Sequence, residues 1–110
     1  MTKEELRQYR SIRNEISQLE RRIIELDMRG YNDDITKPLQ DLYRQKLAAL
    51  IKGQLRIEKA IEGLTPVERE LMRLRYIDGA EWVEVAETIH YEWTQTHRIH
   101  ARALAKIKNL

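Results

Sequence analysis

From Lys3 to Met28, apolar residues return every three or four positions: Tyr9, Ile12, Ile16, Leu19, Ile23 and Leu26. That alternation is a heptad seam and predicts one amphipathic helix. Gly30 follows, suited to a left-handed helix cap. The stretch Tyr31-Asn32-Asp33-Asp34-Ile35-Thr36-Lys37-Pro38 reads as a loop, because Asn and Asp favour turns and Pro is tolerated only near a helix start. A second seam, Tyr43, Leu47, Leu50, Gln54, Ile57 and Ile61, predicts a helix from about Pro38 to Glu62. Gln54 is a polar break of the kind that fixes register. Two such helices joined by a short loop predict an antiparallel, coiled-coil-like hairpin over residues 1–62. Leu39, Leu42, Ile51 and Leu55 lie outside the second seam. One partner helix cannot cover them, so a second copy of the chain or the C-terminal unit is expected to do so. A homodimer is the expectation.

After Gly63 the pattern shortens. Thr65-Pro66-Val67-Glu68 has Thr at the cap, Pro at the first helical position and Glu at the third, which is a capping box. It opens a third helix to about Ile77, with Val67, Leu71 and Leu74 inward, ended by Asp78-Gly79. A fourth helix is expected over Glu81–Ile89, with Trp82, Val85, Ala86 and Ile89 on one face. His90-Tyr91 turns the chain into a last helix, about Trp93 to Lys108, burying Ile99, Ala103, Leu104 and Ile107. The fold class is therefore all-α, a helical hairpin over 1–62 and a three-helix unit over 63–110.

Composition agrees. The chain has 110 residues, four Gly, two Pro and no Phe, a balance that favours helix over sheet. Without Cys it has neither disulfides nor thiolate metal sites. No run approaches the about 18 apolar residues of a membrane span. The polar start Met1-Thr2-Lys3-Glu4-Glu5 is unlike a signal peptide, and a cytoplasmic protein of a bacterial cell is expected. The net charge of +2 is uninformative, but its distribution is not. From Trp93 onward there are Arg98, Arg102, Lys106 and Lys108, with His97 and His100, and no acid, whereas Asp78 to Glu92 carries Asp78, Glu81, Glu84, Glu87 and Glu92 and no Lys or Arg. A basic helix beside an acidic one marks a designated face.

The stretch Trp82 to Arg102 has the spacing of a helix-turn-helix. Two helices that cross steeply need a small residue at the crossing, and Ala86 supplies it. The turn after it often needs positive φ, and His90 tolerates that better than most residues. Tyr91, Thr96 and Ile99 are expected to pack the last helix back on the fourth. That leaves Trp93, Thr94, His97 and Arg98 facing outward near the helix end that enters the major groove in such units. Arg98 suits guanine, with two parallel hydrogen bonds; Thr94 offers a methyl or hydroxyl to a base edge; His97 can donate to a base or phosphate. Gln95 and Arg102 suit phosphates, which position without specifying sequence. Trp93 is either an exposed wedge or packed on the hairpin. Trp82 reads as core, and Arg75 as an ion-pair partner of Glu81 or Glu84. His90, His97 and His100 lack a carboxylate or Cys at supporting spacing for a metal. No phosphate loop, Ser-His-acid set or convergent carboxylate pair is visible, so no catalytic, cofactor or metal site is expected.

Leu64 to Gly79, then Val85-Ala86, then Arg98 to Ile107 resemble region four of bacterial sigma factors. The whole chain is similar to small phage-encoded regulators with such a domain, the late-gene activators of the RinA and ArpU type. Their pattern is met by Leu74 to Gly79, Trp82 to Ala86, Tyr91 and Arg98 to Leu104. Glu92 stands where that family has a Ser cap, Thr96 where Val or Ile is usual, and Trp93 where a basic residue is usual. The resemblance implies a non-enzymatic transcription regulator that binds double-stranded promoter DNA and, through its sigma-like part, RNA polymerase. Nothing resembles the sigma segment that melts DNA, so a complete sigma factor is not implied. Two other classes fit the pattern: a DNA-packaging component like a terminase small subunit, and an adaptor that binds polymerase without DNA.

Overall fold

The computed structural model describes residues 1–30 and 34–110; Tyr31, Asn32 and Asp33, in the expected loop, lie outside the described residues. Among the described residues every regular element is helical: α1 (Lys3–Arg7), α2 (Tyr9–Met28), α3 (Thr36–Glu62), α4 (Pro66–Met72), a π-helical turn (Arg73–Ile77), α5 (Trp82–Ile89) and α6 (Trp93–Ile107). The all-α class stands. None of these helices is long and apolar enough to cross a membrane.

The chain divides into two compact units, Met1–Arg10 with Arg56–Leu110, and Ser11–Leu55. This moves the boundary expected between residues 62 and 63. The reason is burial at both ends of the expected hairpin. Met1, Leu6 and Tyr9 are buried, as are Ile57, Ala60 and Ile61. Tyr9 donates to Glu58 Oε1 at 2.5 Å, and Arg56 pairs with Glu5 and donates to the Leu110 carbonyl. The Met1 ammonium donates to the carbonyls of Ile107, Lys108 and Leu110 at 3.0, 3.2 and 2.7 Å. It thereby satisfies acceptors that a helix C-terminus leaves unpaired. The single first helix expected is also interrupted, at Gln8, whose φ of −78° and ψ of −10° end α1.

In the larger unit, α4 carries the expected capping box, with Thr65 N–H donating to Glu68 Oε1 at 3.0 Å. Its continuation is not the regular helix expected: the last turn widens, so that Asp78 N–H reaches the Arg73 carbonyl at 2.9 Å. Within that turn Tyr76 is buried and Leu74, expected inward, is half-buried. Gly79 at φ +73° then closes it. Helix α6 packs on both α4 and α5. Leu71, Met72, Val85, Thr96 and Ala103 are fully enclosed. Glu68, 1% exposed, meets Lys106 Nζ at 2.8 Å and Arg102 Nε at 3.3 Å, tying α4 to α6. Burial opposes its ionisation, but the bonds from Lys106 and Thr65 prevail and hold its pKa below the usual value.

In the smaller unit, the parts of α2 and α3 run in opposite senses. Gly53 faces Ile12, and Asp27 accepts from Gln40 at 3.3 Å and Arg44 at 3.1 Å. Ile16, Leu19 and Gln40 are buried. Gly30 takes the expected left-handed cap, φ +69°.

Candidate nucleic-acid interface

The turn between α5 and α6 is built as the sequence requires. His90 adopts φ 62° and ψ 40°, a left-handed conformation that few non-glycine residues accept. It lets Tyr91 N–H reach the Ala86 carbonyl at 3.2 Å. Val85 and Ile89 below it are buried, and Ala86 is half-buried between the helices. Tyr91, expected to pack inward, is instead 45% exposed. Thr96 and Ile99 hold α6 in place, both buried. The Thr96 position expected to favour an apolar side chain uses its hydroxyl, which donates to the Glu92 carbonyl at 2.9 Å.

At its N-terminus α6 has no side-chain cap: Glu92 is the cap residue and makes no side-chain cap bond. The free N–H groups and the dipole there favour an anion. Trp93 is 52% exposed; Thr94, Gln95 and Arg98 are exposed too. Thr94 and Arg98 share one face with Ala101, because residues four and seven apart overlie one another on a helix. Ala101 did not figure in the sequence reading, although its spacing from Thr94 announces it. A small residue there keeps the depression beside Thr94 and Arg98 open.

Two further expected residues are tied to neighbours inside the unit. His97 borders the same open face but is half-buried, its ring centroid 4.6 Å from Trp82 and 4.7 Å from Trp93. Its role is to carry Trp93 on Trp82. Arg102 lies on the far flank of the face and turns to Glu68. With Lys106 committed to the same carboxylate, the basic run is partly spent inside the unit. Arg75 also differs from expectation. It donates to the Ala80 carbonyl at 3.0 Å and lies 4.8 Å from the Trp82 ring centre, rather than pairing with Glu81 or Glu84.

The sequence weighs His100 only as a metal candidate, and its place in the core is a finding of the structure. It is buried, and its Nε2 lies 2.6 Å from the Tyr76 hydroxyl. Burial, then the nearby charges of Lys3, His97, Arg75 and Arg7, lowers its pKa to about 4. The signal was its place among Thr96, Ile99, Ala103 and Ile107, the inward face of α6. The same burial pushes the Tyr76 hydroxyl up. No group of His and acidic residues suited to a metal occurs among the described residues. No family model, curated protein or solved structure matches the chain.

Proposed function

We propose that the chain is a sequence-specific DNA-binding transcription regulator of the kind encoded by phages, with α4 to α6 acting as a sigma-region-four-like helix-turn-helix and the residues of α2 and α3 as a helical hairpin. One observation carries the reading: a left-handed His90 between two short helices leaves an α6 whose first turn holds no acid and whose cap residue, Glu92, makes no side-chain cap bond, with Thr94, Arg98 and Ala101 on one open face. That is the arrangement by which a recognition helix enters the major groove. Thr94 and Arg98 read base edges, Gln95 and the α6 N–H groups hold phosphate, and Trp93 borders the face. The test is binding of the full chain to duplexes selected from a random library. Arg98→Ala is expected to cost about 1–3 kcal/mol at the selected site and to relax preference at one base pair. Failure of the wild type to enrich any sequence overturns the reading. A second reading, an adaptor that docks on polymerase without DNA, is favoured by Val83, 57% exposed, between the exposed acids Glu81, Glu84 and Glu87 of the same region. It predicts that Val83→Lys abolishes polymerase capture while Arg98→Ala leaves it unchanged.

A further inference from the structure

A second basic feature of the larger unit lies apart from the α6 face. Lys3 and Arg7 of α1, Arg10 at the start of α2 and Arg75 of the π-helical turn line one cleft of about 220 Å³, walled by Tyr76 and Trp82. Like charges gather there with little to balance them. Among the described residues, the one carboxylate paired with any of the four is Glu4, which meets Arg7 at 2.8 Å in an exposed pair, and exposed pairs are weak and screened.

Two of the guanidinium groups are held in place rather than waving in solvent. Arg75 lies against the Trp82 ring and spends a donor on the Ala80 carbonyl. A guanidinium has five donors in a fixed fork, so the rest remain for a ligand. Arg10 rests on the backbone of Gly79, its guanidinium occupying the space where any other residue would carry a Cβ. Gly79 is required for its φ of +73°, and a Cβ there would displace the Arg10 guanidinium. The field of the cluster is felt inside the fold: after burial, Lys3, Arg75 and Arg7 are among the charges that keep His100 neutral.

We propose that this cleft binds a phosphate group. Planar forks match the paired oxygens of a phosphate, and holding them in advance lowers the ordering cost of binding. The phosphate has two possible sources, a free ion or the backbone of a bound duplex. Trp82, one wall of the cleft, contacts His97, which contacts Trp93 at the edge of the α6 face. A duplex seated on α6 would therefore pass near the cleft. Only this backbone source rests on the DNA-binding reading.

The test uses the full chain and the variant Lys3→Gln/Arg10→Gln, which spares Arg75 because of its packing on Trp82. Melting temperature checks that the variant is folded, and Arg7→Gln serves as the substitute if it is not. Titration calorimetry with inorganic pyrophosphate reads the free source. The salt dependence of affinity for a short random-sequence duplex reads the backbone source. Pyrophosphate binding by the wild type, weakened about a hundredfold in the double variant, supports the site and the free source, since each of the two charged donors removed is worth about tenfold. A log–log salt slope smaller by about 1 per cation removed supports the site and the backbone source. No pyrophosphate binding together with an unchanged slope overturns the proposal. Loss of sequence preference is read separately through Arg98→Ala. Pyrophosphate binding in a chain that selects no DNA sequence would sink the DNA reading and leave the cleft standing.

Discussion

The two units of the chain use the same composition to opposite effect. In Met1–Arg10 with Arg56–Leu110, helices α4, α5 and α6 pack on one another, and Leu6, Ile61, Leu71, Met72 and Val85 are completely enclosed. In Ser11–Leu55, two helices lie side by side and, among the described residues, only Ile16, Leu19 and Gln40 fall in the buried class, while Ile24, Met28 and Ile35 are 56%, 82% and 87% exposed. The difference is one of neighbours rather than of hydrophobic content. A helix with a single partner can cover a seam, but not the flanks beside it, whereas crossed helices enclose side chains from several directions. What the closed unit gains is the ability to hold functional groups in unusual states: a positive-φ His90, an ionised Glu68 and a neutral His100.

The largest effect that tests this contrast is truncation within the two cores. Leu71→Ala should cost about 3 kcal/mol, because a cavity walled on all sides cannot collapse. Leu19→Ala should cost about half as much. Leu19 lies beside a depression open to solvent and bordered by Glu15, Arg22 and Lys46, so the gap can relax or fill with water. Urea denaturation followed by circular dichroism measures both. Equal losses would mean that the smaller unit is enclosed in solution and that the contrast is lost.

Acid should act on the closed unit selectively. His100 has its pKa lowered to about 4, by burial first and then by Lys3, His97, Arg75 and Arg7, whereas in an unfolded chain it titrates near 6.5. Between those values the unfolded state binds the extra proton, so stability falls as pH falls through that window. The full loss approaches about 3 kcal/mol by pH 4. Glu68, whose folded pKa is also lowered, adds a further loss only below its ordinary 4.5. Both tryptophans lie in this unit, so fluorescence-monitored unfolding at pH 7 and pH 4.5 reads it directly. His100→Gln removes the titration while keeping a polar partner for Tyr76, and should flatten the upper part of the profile. An unchanged slope in that variant would assign the effect to another group.

What could be read in the sequence follows from how local each signal is. The start of α4, the stop at Gly79 and the turn at His90 were legible because capping boxes, glycines and tolerated positive φ act within a few residues. The unit boundary was not. The seam through Tyr9, Ile12 and Ile16 is continuous, and periodicity says which face is buried without saying against what. Tyr9 therefore reads the same whether its partner is a hairpin or, as found, Glu58 and the core of the closed unit. The interruption at Gln8 carries neither Gly nor Pro to announce it. At the candidate interface, Thr94, Gln95 and Arg98 were legible because a helical wheel places them. The ties of His97 and Arg102 were not legible, because their neighbours, Trp82 and Glu68, are distant in sequence: His97 is half-buried against Trp82, and Arg102, still exposed, reaches Glu68. The cationic cleft was invisible for the same reason, since Lys3, Arg7 and Arg10 are far in sequence from Arg75.

The smallest expected effect decides whether the smaller unit works alone. An ideal helix turns about 100° per residue, which sets Leu39 and Leu42 on one flank of the Tyr43-Leu47-Leu50 seam and Ile51 and Leu55 on the other. These residues are 39%, 46%, 45% and 50% exposed. A single further helix cannot reach both flanks, so the two are tested separately, by Leu42→Lys and by Ile51→Lys. If neither flank is covered, each substitution places a charge in water and changes stability by no more than about 0.5 kcal/mol, the same at every protein concentration. If a second copy packs on one flank, the matching variant alone sediments as a monomer, and its melting temperature loses the concentration dependence that the wild type shows. A homodimer in which one flank is responsible would then set the separation of two DNA half-sites. A wild type that stays monomeric at high micromolar concentration, with both lysine variants neutral, would leave each helix of this unit with a single partner, the condition from which the contrast with the closed unit was drawn.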